Sequence, residues 1–194
     1  RHHLAWNYHY TTTQPQRLLY VDIKDDSESI TRYFYNPSTG KLTRSYSYKD
    51  DRTSFYDDKN NVTDIYEGDL AVLDQSKIKS HYDYTYDALT GKLSETTETR
   101  YLSQTMTDVL KTKYDTKGRA SEVIDENDPA KTYDDKRYVY HYRSEAGKEN
   151  IVDYIYDEVE VTSTYYNELG LVDEVYKGTS GAKNIWNLQY RYVY

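Results

Sequence analysis

The chain contains no cysteine, which excludes disulfide bonds and every metal site built on thiolate ligands. It also lacks a run of about 20 apolar residues, so no transmembrane segment is predicted. Lysine and arginine occur singly among acidic residues, and the net charge is −8. Binding to nucleic acid needs a cluster of basic residues that neutralises phosphates, so we expect no nucleic-acid partner.

Proline and glycine are scarce, with 3 and 8 residues in a chain of 194, which argues against a disordered linker. Aliphatic residues are also few, whereas tyrosine occurs 26 times. A packed tyrosine buries about 150–250 Å² and keeps its hydroxyl at the solvent edge, and tyrosine is a strong strand former. The composition therefore predicts one β-rich domain over residues 1–194 whose core consists largely of phenol rings.

Six short segments repeat one pattern: tyrosine, aspartate or asparagine, a few residues, glycine, a basic residue and an aliphatic residue, with substitutions. They begin at Tyr35, Tyr56, Tyr86, Tyr114, Tyr142 and Tyr166, and their turn residues are Gly40, Asn60, Gly91, Gly118, Gly147 and Gly170. Aspartate or asparagine caps a turn through its side chain, and glycine supplies the positive φ that closes a hairpin with a bulge. Asparagine, found at position 60, is the other residue that tolerates this conformation. Each segment is therefore predicted to be a hairpin turn.

The residues flanking these turns alternate between tyrosine and polar residues, which is typical of strands with one aromatic and one solvated face. The tyrosines expected on the aromatic face are Tyr33, Tyr35, Tyr46, Tyr48, Tyr82, Tyr84, Tyr86, Tyr138, Tyr140, Tyr142, Tyr154, Tyr156, Tyr190, Tyr192 and Tyr194. We expect strands of roughly 8–11 residues, longer than usual. Outer turns are expected at residues 25–27, 50–52 and 134–136, and a long loop or short helix within residues 101–109.

The predicted fold class is all-β, an antiparallel meander of six or seven hairpins in a strongly twisted sheet. Such a sheet is expected to curl into a barrel-like closure around the tyrosines, because closure removes exposed edge strands. An open array of hairpins is the alternative. Trp6 and Trp186 would pack together in a closed sheet, or cover the two edges of an open one.

Two segments, Tyr114–Arg119 and Tyr86–Leu93, resemble the tyrosine–aspartate (YD) repeat of Rhs and teneurin-type proteins. In that family the repeats form hairpins that wind side by side into a continuous sheet or shell. The chain also looks like small secreted proteins of unknown function from Bacteroidetes that carry degenerate repeats of this type. The resemblance implies a secreted, periplasmic or outer-membrane-associated protein, and a chain that begins at Arg1 rather than methionine fits a trimmed form. Six or seven hairpins cannot enclose a folded cargo, so that role is not implied.

Little in the sequence points to catalysis. No Gly-x-Ser-x-Gly motif occurs, and His81 and His141 lie in different repeats, where we expect them to be solvated strand residues. The acidic stretch Asp57–Asn61 lacks the alternating ligands of a calcium loop and is predicted to be a turn. We therefore expect a chain without cofactor or metal that is not an enzyme. The alternative is an enzyme acting on polysaccharide through an acid pair on the concave face.

The residues that we expect to contact a ligand are Tyr82, Tyr84, Tyr86, Tyr138, Tyr140 and Tyr142. An exposed ladder of aromatic rings is typical of a contact surface, whereas buried rings only hold the sheet together. The expected function is a non-catalytic binding or scaffold module for saccharide or protein. A purely structural repeat within a larger assembly is a third possibility.

Overall fold

The structure is a computed structural model that describes residues 4–25, 28–103, 106–126, 136–181 and 183–193. It contains fifteen antiparallel strands, and their order in the sheet is their order along the chain. The strands are β1 (Leu4–Tyr10), β2 (Leu18–Asp25), β3 (Glu28–Tyr35), β4 (Leu42–Ser47), β5 (Arg52–Tyr56), β6 (Val62–Glu67), β7 (Ile78–Tyr86), β8 (Leu93–Tyr101), β9 (Thr107–Tyr114), β10 (Ala120–Glu126), β11 (Lys136–Tyr142), β12 (Val152–Asp157), β13 (Thr162–Tyr166), β14 (Val172–Lys177) and β15 (Leu188–Arg191). The predicted all-β meander is confirmed.

Two single-turn 3₁₀ helices, Gln75–Lys77 and Ile185–Asn187, precede β7 and β15. None of the helical turns in the described ranges has the length and apolar character that crossing a membrane would require. By its internal contacts the chain divides into two compact units. Unit 1 comprises residues 1–82 and 100–105, and unit 2 comprises residues 83–99 and 106–194.

The expected barrel-like closure is wrong, because the sheet is open. Among the described strands, β1 pairs only with β2 and β15 only with β14. Trp6 and Trp186 are 55% and 88% exposed, so neither residue is buried as it would be at the closure of a barrel. The physical reason is that the backbone N–H and C=O groups of each hairpin are hydrogen-bonded to the next hairpin along the chain. The strands therefore follow one another in sequence order, and the first does not need to pair with the last. The alternative expectation of an open array is the observed one.

The strands contain four to nine residues. Those with the predicted eight or more residues are β2, β3, β7, β8 and β9, and the others are shorter because turns and bulges take up residues at their ends. The outer turn at residues 50–52 is confirmed, with Asp51 at φ 50°. Residues 26–27 and 134–135, the centres of the other two predicted outer turns, lie outside the described residues. The long loop or short helix expected within residues 101–109 has room only at 102–106, since β8 runs to Tyr101 and β9 begins at Thr107, and residues 104–105 lie outside the described ranges.

All six predicted hairpin turns are present, and each predicted turn residue has positive φ. The values are 71° at Gly40, 65° at Asn60, 67° at Gly91, 82° at Gly118, 82° at Gly147 and 75° at Gly170. In the first turn the side chain of Asn36 accepts hydrogen bonds from the amides of Ser38 and Thr39 at 2.8 and 3.2 Å. Asp57, Asp87, Asp115 and Asn167 cap their turns in the same way. Because these hydrogen bonds join residues close together in the chain, the turns can be predicted from the sequence.

The β-bulge expected beside the motif turns is present. Tyr35 lies opposite Leu42 while Phe34 lies opposite Arg44, which leaves Thr43 as the extra residue. The Thr43 hydroxyl donates a hydrogen bond to the carbonyl oxygen of Phe34 at 3.1 Å. Thr63, Ser94 and Ser121 make the equivalent bond to the carbonyl oxygen of a residue on the preceding strand. The signal in the sequence is the threonine or serine that follows the aliphatic residue of the motif.

A longer repeat relates part of unit 1 to part of unit 2. Residues 51–78 and 161–188 align without a gap, so that Thr53 matches Ser163 and Asp64 matches Glu174. We call these stretches the first and second copies. In each copy a segment after the second strand, here called the arch (residues 68–77 and 178–187), leads into a 3₁₀ turn. The side chain of Asp74 or Asn184 caps that turn.

Each arch packs on one face of its own unit. The Thr53 hydroxyl donates to the carbonyl oxygen of Gly68 at 2.6 Å and accepts from the amide of Leu70 at 3.0 Å. In the second copy the amide of Gly181 donates to the hydroxyl of Ser163 at 3.3 Å. Thr53 and Ser163 are 0% and 1% exposed. The arches therefore create the most deeply buried positions in this otherwise single-layered fold.

The prediction that all the flanking tyrosines share one face is wrong. Directly paired residues on neighbouring strands lie on the same face. By this criterion the motif tyrosine Tyr142 and its neighbour Tyr140 lie on what we call the motif face, whereas Tyr46, Tyr154 and Tyr156 lie on the arch face. The buried rings also lie on the arch face: Tyr66 (0% exposed), Tyr165 (6%) and Tyr176 (6%). The covering arch is what makes burial possible there, and most other described tyrosines are half-buried.

Candidate ligand-binding face

The six tyrosines predicted to contact a ligand are all half-buried. Tyr82, Tyr84 and Tyr86 alternate along β7 with the exposed residues Asp83 and Thr85. On β11, Tyr138, Tyr140 and Tyr142 point to the motif face of unit 2, because Tyr140 pairs with Ile155 and Tyr142 with Val152. The β11 residues are those that the structure places beside a concave surface.

A groove crosses β11, β12 and β13 on the motif face of unit 2. Its volume is about 260 Å³, and it is lined by Tyr138, Tyr140, Ile155, Asp157, Thr162, Thr164 and Tyr166. Two rows of paired residues form its floor, one through Tyr140, Ile155 and Thr164. The other row runs through Tyr138, Asp157 and Thr162. Strand pairing alone therefore assembles the groove, without any loop.

Two further depressions continue the groove. One, of about 390 Å³, includes Tyr140 and Tyr142 together with the side chains of Asp115 and Arg119. The other, of about 420 Å³, includes Val152, Ile155, Tyr166 and Leu169. Because they share Tyr140, Ile155 and Tyr166 with the first, the three form one surface, which we call the tyrosine groove.

Tyr140, Tyr142 and Tyr166 of the groove keep their hydroxyl protons at neutral pH. Burial raises the pKa of Tyr140 and of Tyr166 above the usual value of 10.0, and the neighbouring phenols add to the effect. Burial also raises the pKa of Tyr142, whose hydroxyl donates to the carbonyl oxygen of Ala120 at 2.8 Å. The Arg119 guanidinium lies 4.0 Å from the centre of the Tyr142 ring. Tyr142 is thus fixed in place, and the protonated phenols of Tyr140 and Tyr166 can act as hydrogen-bond donors.

Sequence reasoning missed the part of the groove supplied by β12 and β13. Ile155, Thr164 and Tyr166 complete it, and none of them belongs to the predicted ladder. Their positions follow once the hairpin register is known, because Tyr142 lies opposite Val152 across the turn. Tyr82, Tyr84 and Tyr86 are not among the residues that line the groove.

The pKa values of the carboxyl groups are those expected of residues that cap turns or form ion pairs. In the described part of the chain, every carboxyl group with a resolved pKa shift has a lowered pKa: Asp57, Glu67, Asp74, Asp87, Asp115, Glu122, Glu149, Glu168 and Glu174. A hydrogen bond from Lys113 is the main cause at Glu122. A general acid needs the opposite, a carboxyl pKa raised towards neutrality. The acidic stretch Asp57–Asn61 is a turn as predicted, since Asp57 accepts the amides of Lys59 and Asn61.

His81 and His141, which we expected to be solvated, contact other side chains. His81 Nδ1 lies 2.8 Å from an Asp64 carboxylate oxygen. The His141 ring stacks on Tyr154 at 4.2 Å, and its Nε2 lies 3.3 Å from the Ser180 hydroxyl. A serine nucleophile would need a third group that orients the histidine, and no hydrogen bond from a described residue fills that role at His141. Within the described ranges no three histidine, aspartate or glutamate residues are grouped so that they could hold a metal ion.

Comparison with known proteins gives little. No protein-family model and no curated protein matches the sequence. Among solved structures, a crystal structure of TcdB2-TccC3-Cdc42 contains a chain that is 14% identical, with a TM-score of 0.36. The match covers 89% of this chain but only 10% of that one. A likeness this weak carries no argument. What agrees with the resemblance to YD repeats is the meander itself, with a capped tyrosine–aspartate or tyrosine–asparagine turn in successive hairpins.

Proposed function

We propose that the chain is a non-catalytic binding module of a secreted or envelope-associated protein, and that the tyrosine groove is its binding surface. The observation that carries the proposal is that Tyr138 and Tyr140 on β11 and Tyr166 on β13 line one groove across three strands. Concave surfaces that combine aromatic rings with a few polar groups are the usual form of ligand sites. Hairpin pairing fixes the spacing of the rings, so the surface is formed before any ligand binds.

The ligand class that we propose is a neutral saccharide. Phenol rings offer flat apolar area, and their hydroxyl groups, with those of Thr162 and Thr164, offer hydrogen bonds at the edges. Among the described residues that line the central groove, Asp157 alone is charged, and it already accepts amides of its own turn from Val159 and Glu160. The central groove therefore offers no free counter-charge, which suits a ligand without charge, whereas the adjoining depressions also contain charged residues such as Arg119 and Glu168.

A glycan array followed by calorimetric titration tests the proposal. Tyr140→Ala and Tyr166→Ala should each weaken binding at least tenfold, about 1.4 kcal/mol, as is common for central aromatic contacts. Tyr48→Ala is the matched control, because Tyr48 is a partly exposed tyrosine of unit 1. Unaltered binding by both groove variants would contradict the site. Binding of a protein from the same source, with no glycan bound, would contradict the ligand class.

The same protein preparation tests the enzymatic alternative. A polysaccharide hydrolase would release reducing ends from a glycan that binds, whereas a binding module returns it intact. We expect no release. Sustained release that is lost when an acidic residue of unit 2 is replaced would contradict the non-catalytic role.

A further inference from the structure

We infer that β1 is a dimerisation strand, which pairs antiparallel with β1 of a second molecule of the same chain. β1 forms one edge of the sheet and reads Leu-Ala-Trp-Asn-Tyr-His-Tyr, without lysine, arginine, aspartate or glutamate. Four of its side chains alternate and so share a face: Leu4 (60% exposed), Trp6 (55%), Tyr8 (55%) and Tyr10 (51%). The edge therefore combines a long uncharged backbone with a row of exposed apolar rings.

Edge strands that remain solvated are normally protected from pairing by short length, charge or proline. The other edge of this sheet has such protection. β15 contains four residues, and one of them, Arg191, forms an ion pair with Glu174 at 2.6 Å. β1 contains seven residues and none of these devices. We take this contrast to mean that β1, unlike β15, accepts a further strand.

The second unit shows what covers the equivalent strand. The β9–β10 hairpin precedes β11–β14 as the β1–β2 hairpin precedes β3–β6, and Tyr114 ends β9 as Tyr10 ends β1. The outer side of β9 is occupied by β8, as part of the same antiparallel sheet. Where β1 exposes Trp6 and Tyr8, β9 carries the smaller Leu110 and Thr112. This position in the fold thus accepts an antiparallel strand, and β1 offers it a more apolar surface.

A second β1 fits this position in direction and in side chains. Pairing about a two-fold axis at Asn7 places Trp6 opposite Tyr8 of the partner subunit, and Leu4 opposite Tyr10 of the partner subunit. Aromatic pairs of this kind add about 0.5–1.5 kcal/mol beyond their burial. Joining β15 to β1 of a neighbour in the same orientation would instead create a parallel pair, since odd-numbered strands run in one direction. A two-fold contact also closes on itself, so it gives a dimer rather than a fibre.

Because the chain has no cysteine, a single introduced one provides a clean test. Directly opposed residues of an antiparallel pair have Cα atoms about 4.5–5.5 Å apart, which suits a disulfide bond. Asn7→Cys should therefore form a disulfide-linked dimer under mild oxidation. Gln189→Cys, at the centre of the other edge strand, is the matched control and should stay monomeric.

Analytical ultracentrifugation of the unmodified chain gives the second test. We expect a reversible dimer that Trp6→Lys and Tyr8→Lys each weaken at least tenfold, and that Tyr190→Lys on β15 leaves unchanged. Circular dichroism confirms that each variant is folded, and the cysteine test needs no lysine variant. A chain that stays monomeric at all concentrations and does not cross-link through position 7 overturns the proposal. So does a dimer that survives both β1 variants, or one that the β15 variant abolishes.

Discussion

Asp64 and Glu174 occupy equivalent positions in the two copies, and each contacts the residue opposite it on the next strand. Asp64 lies 2.8 Å from His81, and Glu174 lies 2.6 Å from Arg191. The basic partner differs, yet the acidic residue and the geometry are kept. In the second copy the arch adds Lys183 at 2.8 Å. An ion pair between Lys183 and Glu174 therefore adds to the packing between the arch and the strand beneath it.

Replacing Glu174 should destabilise the fold in a pH-dependent way. Hydrogen bonds, first from Lys183 and then from Tyr176 and Arg191, lower the pKa of Glu174 from 4.5 to about 2. Since the pKa is lower in the folded chain, the stabilisation is complete above about pH 4.5 and is lost as the pH falls through about 2. Glu174→Gln should lower the free energy of unfolding by about 1–3 kcal/mol at pH 7, measured by urea denaturation.

The control for this prediction is Glu67→Gln. Glu67 pairs with Lys79 at 2.6 Å, but both side chains are exposed, so little loss of stability is expected. The difference between the two variants should shrink when the measurement is repeated at acidic pH. An equal loss for both at pH 7 would show that the Glu174 cluster adds nothing beyond an ordinary surface pair.

The hairpin turns could be predicted from the sequence because their chemistry is local. The capping side chain and the positive-φ residue lie within a few positions of each other, so one motif contains the whole determinant. Asn60 is the clearest case, since it replaces glycine and still adopts φ 65°. The bulge residue Thr43 is equally local and could have been found from the threonine or serine after the aliphatic residue.

The faces of the sheet and the groove could not be predicted from the alternation alone. Period-two alternation shows which residues of one strand share a face, but a bulge shifts the register between strands. Tyr154 and Tyr140 therefore lie on opposite faces although each belongs to a strand in which tyrosine occurs at every second position. The arches were missed for a different reason: burial of Thr53 depends on a segment that crosses the sheet, and the six-turn motif does not include it.

Thr53 offers a test of the first arch. Its hydroxyl is fully buried and bonds both the carbonyl oxygen of Gly68 and the amide of Leu70. Thr53→Val keeps the shape but leaves both backbone groups without their partner, which should cost about 2–4 kcal/mol in the free energy of unfolding. Thr53→Ser retains the hydroxyl and copies Ser163 of the second copy, so it should cost about 1 kcal/mol or less. Equal losses for the two variants would mean that the two hydrogen bonds of the Thr53 hydroxyl contribute no more to stability than the packing of its methyl group.

The turn residues should respond to backbone strain alone. A Cβ atom at Gly118 would have no neighbour within 4 Å, so Gly118→Ala changes only the cost of φ 82°. We expect a loss of about 1–2 kcal/mol in the free energy of unfolding. Asn60→Gly at the equivalent turn should be neutral or slightly stabilising, and Gly118→Asn should cost less than Gly118→Ala. Thermal and urea unfolding measure these differences, and an alanine variant as stable as the parent would contradict the assigned φ.

His141 should make unit 2 less stable in mild acid. Burial lowers the pKa of His141 below its usual value of 6.5, although the charge of Asp153 acts in the opposite direction. The unfolded chain therefore binds a proton more readily than the folded chain, and stability falls as the pH drops below about 6.5. Nuclear magnetic resonance titration of the ring should give the lowered pKa directly.

His141→Phe keeps a ring that can stack on Tyr154 but removes the titrating group. Its free energy of unfolding should lose the part of the pH dependence below about pH 6.5 that belongs to this residue. The Ser180 hydroxyl, 3.3 Å from Nε2, would then lack a partner there, so a small loss at neutral pH is expected as well. A parent and a variant with the same pH dependence would mean that His141 titrates as freely in the folded chain as in the unfolded one. The contact with the arch would then be too loose to exclude water from the ring.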